Sequence, residues 1–193
     1  MIGNDVVDLK AAAAESDWSR KGFLEKVFSE EERELICAAA DQHQMVWLLW
    51  SMKEAAYKAR QRHFNLPRRL NWELLHCSLE EISTGNASGV VKVGAEKYFT
   101  ASGITSENIH TTARPNSKIP LENFIFETSS AAAKKELLQQ TADFHFLPVA
   151  DLHFKKDLHG MPYISYKNAE FFNRFSFSDH GRYSAFSLSL RIS

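Results

Sequence analysis

The chain has 193 residues, 44% of them hydrophobic and 24% charged, proportions of an ordinary globular protein that can bury a core as one domain or two small halves. A formal net charge of −1 speaks against broad electrostatic binding to nucleic acid or membrane, though not against local basic patches. Cys37 and Cys77 stand in no paired motif, which suggests reduced thiols and a cytoplasmic setting, and Met-Ile-Gly-Asn-Asp opens as neither signal peptide nor membrane span.

In chain order, Ile2 to Leu9 reads as a strand, and a period of two puts Asp5 and Val7 on one face and Val6 and Asp8 on the other. Gly3 suits a close approach to a ligand or a neighbouring element. Residues 16–63 read as helical, with Ser16 and Ser29 as N-caps and Ser29–Glu32 as a capping box ahead of Leu35, Ile36 and Cys37. The last of these helices should start near Asp41 and fray at His63-Phe64-Asn65, ahead of Pro67. It holds Trp47, Trp50, Glu54, Tyr57 and Lys58. Glu54 and Lys58 lie one turn apart on one face, beside an apolar stripe. Such a pair is also a common helix stabiliser, so alone it carries little.

The periodicity then changes. Leu74–Ile82, Gly89–Val93, Lys97–Ser102 and Asn108–Ala113 read as strands, with Leu121–Glu127 a weaker strand or extended link. Ser130–Thr141 reads as a helix capped by Ser129. Strands are expected again at Leu152–Lys156, Pro162–Ser165, Phe175–Ser178 and Tyr183–Leu190, with a short helix near Asn168–Asn173 and a tight turn at Asp179-His-Gly-Arg182. This order predicts an α+β protein of two packed halves with antiparallel sheets, divided as 1–127 and 128–193.

Three segments stand out together: Gly3-Asn-Asp5, Trp50-Ser-Met-Lys-Glu-Ala-Ala-Tyr-Lys58, and Phe175-Ser-Phe-Ser-Asp-His-Gly-Arg-Tyr183. The set resembles the 4′-phosphopantetheinyl transferase superfamily, whose members carry a Gly-x-Asp strand and a Trp-x-x-Lys-Glu-Ala-x-x-Lys helix. The N-terminal segments look most like the short holo-acyl-carrier-protein synthase type. Gly160-Met-Pro162 and the Phe175 hairpin are similar to the Gly-Lys-Pro and Ser-His-Ser segments of the longer, surfactin-synthetase-activating type. The order of the two halves is exchanged relative to that longer type, and the histidine of the hairpin is displaced by one position.

The resemblance implies transfer of phosphopantetheine from coenzyme A to a serine of an apo acyl or peptidyl carrier protein. It implies Mg²⁺ held by Asp5 and Glu54, with Glu54 and Lys58 as the catalytic pair. Lys58, Ser178, His180 and Arg182 are then the candidate coenzyme A contacts, with Lys155-Lys156 a further one. Where the longer type often adds a second acid, two residues after the Asp, this chain has Val7, and Asp8 is not expected to substitute. Arg60, Arg62, Arg68 and Arg69 are candidates for the surface that meets an acidic carrier. A monomer or small homo-oligomer fits, without nucleic acid or membrane as partner. The altered hairpin leaves open an inactive member that only binds coenzyme A or a carrier, and an unrelated interaction protein in which Glu54–Lys58 is a simple salt bridge.

Overall fold

The computed structural model describes residues 1–172 and 174–189. Strand β1 (Gly3–Asp8) runs directly into α1 (Leu9–Glu15), followed by α2 (Phe23–Val27), α3 (Glu30–Ala38) and the long α4 (Gln42–Phe64). Next come β2 (Leu75–Ser83), β3 (Asn86–Val93), β4 (Glu96–Ile104) and β5 (Asn108–Arg114). The remainder is β6 (Glu122–Glu127), α5 (Ser130–His145), β7 (Leu152–Lys156), β8 (Pro162–Tyr166), β9 (Ala169–Phe172), β10 (Phe175–His180) and β11 (Tyr183–Leu188). The strands form antiparallel sheets in the orders β1-β5-β4-β3-β2, β10-β11-β6 and β7-β8-β9. The fold is α+β. Among the described residues, no helix is long and apolar enough to cross a membrane.

Local chemistry explains where the elements begin and end. The Ser29–Glu32 box forms as its sequence predicts, with Glu32 N donating to Ser29 Oγ at 3.3 Å and Ser29 N donating to Glu32 Oε2 at 2.8 Å. Asp41 caps α4 by accepting from Gln44 N at 2.9 Å, and Asn65 ends it at φ 50°, a left-handed position that asparagine tolerates. Ser16 is not an N-cap. Its N–H donates to Ala12 O and closes α1, whose own cap is Asp8, accepting from Lys10 N and Ala11 N. The expected helix near 168–173 is instead strand β9, because Lys167 and Asn168 both take positive φ (48° and 67°). That pair makes the two-residue turn of a β-hairpin from β8. Asn173, the end of that expected helix, and Leu190, the end of the expected last strand, lie outside the described residues. β6 pairs with β11, so the second half takes in a strand from before residue 127.

Two cores result. Helices α1 to α4 pack on the five-stranded sheet through Leu49, Met52, Ala56, Val91 and Ile109, while Leu137, Ile164, Phe175, Phe186 and Leu188 centre the second. β1 lies between them, buried at all six residues, with α4 on one face and the β10–β11 hairpin on the other. The neighbour that Gly3 admits is α4. A Cβ there would run into the Ala55 carbonyl oxygen and stand 2.6 Å from Ala59 N.

The rotation of α4 is held by a fully buried ion pair. Lys53 Nζ lies 2.6 Å from Glu32 Oε2 and donates to Val27 O at 2.7 Å, while the other Glu32 oxygen accepts from Cys77 N. A pair this dry is worth little against an apolar substitute, but either charge left alone is costly. Glu32→Ala is therefore expected to lower unfolding free energy by about 3–5 kcal/mol, and Glu32→Leu with Lys53→Met by clearly less. Denaturant titration of the two variants checks this.

Candidate functional site

α4 carries Glu54, Tyr57, Lys58, Gln61 and Arg62 along one side of a cleft of about 360 Å³. The facing wall comes from the second half: Lys134 on α5, Phe154 and Lys156 on β7, the loop His159-Gly-Met-Pro162, and Ser176 to Asp179 on β10. Arg68, in the loop after α4, also lines the cleft. The charged side chains among these residues are mostly cationic, with Glu54 and Asp179 the acids. A cleft of this charge suits a polyphosphate ligand.

At its edge β1 meets α4. Lys58 Nζ donates to Asp5 Oδ1 at 2.9 Å and to Asn4 O at 3.1 Å. Glu54, one turn before Lys58, has its carboxyl pushed up to about 7, first by burial and then by the charge of Asp5, with Lys58 and Arg68 opposing. A carboxylate whose ionisation is opposed by burial and by a neighbouring carboxylate favours a cation, and Mg²⁺ needs only one or two protein carboxylates beside phosphate and water. The residues present fit such an ion.

The sequence-expected site residues separate into two groups. Asp5, Glu54, Lys58 and Ser178 come together at this corner, and Lys156 and the Gly-Met-Pro segment line the same cleft. His180 and Arg182 do not reach it. Arg182 is bound by Asp8, with Nε at 2.8 Å and Nη2 at 3.0 Å from the two carboxylate oxygens, and its own backbone N–H donates to Oδ2. The guanidinium holds Asp8 well below the usual carboxylate range. Glu107 and Glu127 approach Nη1 at 3.5 Å. His180 Nδ1 accepts from Asp8 N at 3.0 Å, and Nε2 lies 3.4 Å from Glu15. Both residues therefore fasten the hairpin to β1 and α1.

The basic surface is corrected in the same way. Arg60 pairs with Glu96, and Arg62 turns inward, where burial lowers its guanidinium to about 10. Arg68, which lines the cleft, and its neighbour Arg69 remain exposed, with Arg69 N donating to Tyr57 Oη. Lys134 and His159 were not among the expected residues, because nothing in their local sequence distinguishes them from solvated side chains. His110 was also missed. Buried on β5 and near Lys58, it is driven down to about 4, first by desolvation, and so is a neutral imidazole at pH 7.

Two outcomes follow. Because the folded state raises the Glu54 pKa from 4.5, it holds that proton more tightly than the unfolded chain. Stability from this group is thus present at low pH and is lost as pH rises from 4.5 through about 7. Thermal melts in metal-free buffer should show Glu54→Gln gaining stability over the unaltered protein at pH 8 but not near pH 4. Second, Arg182→Ala should lower the melting temperature, since it leaves the buried Asp8 carboxylate without its bidentate partner.

The family model described as the 4′-phosphopantetheinyl transferase superfamily matches residues 1–113, more than half of the chain. No curated protein matches.

Proposed function

Since the chain belongs to the 4′-phosphopantetheinyl transferase superfamily, we propose that it moves phosphopantetheine from coenzyme A to a serine of an apo acyl or peptidyl carrier protein in the cytoplasm. The observation that carries this reading is the convergence of Asp5, Glu54 and Lys58 at the edge of a cationic cleft between the two halves.

In this reading the carrier serine oxygen attacks the phosphorus of the pantetheine phosphate. The bond from that phosphorus to the bridging oxygen breaks, and adenosine 3′,5′-bisphosphate leaves with the electron pair. Catalysis of such a transfer is positioning plus neutralisation of charge. Asp5 and Glu54 would hold Mg²⁺, which supplies charge to the pyrophosphate oxygens when bound. Lys58 is placed to turn its ammonium from Asp5 to the same oxygens. Glu54 receives the serine proton, directly or through water, and its raised affinity for a proton suits that task. Lys134 and Lys156 meet the remaining phosphate charge from the opposite wall. Arg68 and Arg69, both exposed, would face the acidic carrier.

The test is mass spectrometry of an apo-carrier protein incubated with this protein, coenzyme A and Mg²⁺. A gain of about 340 Da, the mass fixed by the transferred group, is expected, and Glu54→Ala should slow it by at least about 100-fold. Reversing the charges of Arg68 and Arg69 should raise the KM for carrier and leave that for coenzyme A unchanged. Coenzyme A binding without any mass gain across several carriers would replace the transferase by a binding protein.

A further inference from the structure

The second residue of the Gly-Asn-Asp segment has a distinctive place. Asn4 is fully buried, and both its backbone and its side chain reach across to β10. Asn4 N donates to Ser176 Oγ at 2.9 Å, and Asn4 Nδ2 donates to Ser178 Oγ at 3.1 Å. The two serines are two apart on one strand, so they share a face. Both line the cleft, and both are more than nine-tenths buried.

A serine hydroxyl has one proton to give and lone pairs to accept with. Here each oxygen accepts from Asn4, and among the described residues neither hydroxyl donates to a protein acceptor. The other groups around the Asn4 amide are His110 Nε2 at 3.3 Å and Ala185 O at 3.3 Å. His110 is neutral, and the Ala185 carbonyl only accepts, so the Asn4 amide is kept with its NH₂ toward Ser178. Two buried O–H groups are thus left with their protons unassigned, side by side, on the wall of a cationic cleft. A buried donor without an acceptor is costly, and an anionic oxygen is the acceptor that would relieve it best.

We propose that Asn4 is a positioning residue that turns Ser176 and Ser178 into a paired hydroxyl clamp for one phosphate group of the ligand. This rests on the coenzyme A reading above. It adds Ser176 as a second contact and gives Asn4 a task in ligand binding although it touches no ligand. The clamp supplies donors at the place where His180 and Arg182 have been drawn away to Asp8.

The experiment is calorimetric titration of the full chain with adenosine 3′,5′-bisphosphate and, separately, coenzyme A, with melting temperature recorded for each variant. Ser176→Ala, Ser178→Ala and Asn4→Ala should each weaken bisphosphate binding by about tenfold, the loss of one hydrogen bond to a charged group. Asn4→Ala added to Ser178→Ala should cost no more than about twofold beyond Ser178→Ala alone, because Asn4 acts through that hydroxyl. In turnover, KM for coenzyme A should rise while KM for the carrier stays constant. Should Asn4→Ala fail to fold, Asn4→Leu, with the same branched skeleton and no polar atoms, takes its place in the same cycle. Independent, multiplying losses from Asn4 and Ser178, or an Asn4 variant that binds as tightly as the unaltered protein, would overturn the assignment alone. An unaltered protein that binds neither ligand would overturn the coenzyme A reading, and the clamp with it.

Discussion

The structure depends on one strand that must satisfy two neighbours at once. β1 is covered by α4 on one face and by the β10–β11 hairpin on the other, so each residue has a fixed partner. Gly3, Asp5 and Val7 face the helix: the first removes a side chain, the second meets Lys58, the third joins the larger core. Asn4, Val6 and Asp8 face the hairpin, against Ser176 and Ser178, against Tyr183 and Ala185, and against Arg182. Since side chains alternate along a strand, a shift of one position would exchange every one of these contacts. The cleft lies between α4 and β10, which cover this strand from opposite sides.

Glu32–Lys53, Asp8–Arg182 and Asp5–Lys58 each pair a buried carboxylate with a cation, and their surroundings separate support from chemistry. Glu32 with Lys53 and Asp8 with Arg182 are completed by backbone donors or carbonyl acceptors. The Asp5–Lys58 pair is different. Glu54 stands beside it, half-buried, with its ionised form opposed by desolvation and then by Asp5. A protein concerned only with stability would gain by neutralising that carboxylate. Retained charge of this kind is what a site for a cation and a phosphate requires.

Much of this was legible in the chain because it is local. Ser29 with Glu32, Asp41 ahead of α4, and the alternation of Asp5 with Val7 each depend on residues a few positions apart. The contacts that the sequence hid join positions far apart. Arg182 and His180 look like phosphate ligands in a polar turn, and only the approach of Asp8 across 174 and 172 positions shows them to be fasteners. Lys134 is an unremarked residue of an alanine-rich helix until folding sets it opposite α4. The helix expected near Asn168 failed for a nearer reason: backbone sign at Lys167 and Asn168 decides a hairpin, and neither is a glycine that would announce it.

The cover of β1 is also a matter of sequence in time. The strand and the hairpin that seals it are separated by most of the chain, as the 172 positions between Asn4 and Ser176 record. During synthesis, the first half can assemble its five-stranded sheet while the Asn4-Val6-Asp8 face still lies bare. Closure waits for the last two strands, a late, long-range step of the sort that slows folding. The wall that β10 gives the cleft is therefore set in place together with the burial of that face, after the five-stranded sheet that it covers.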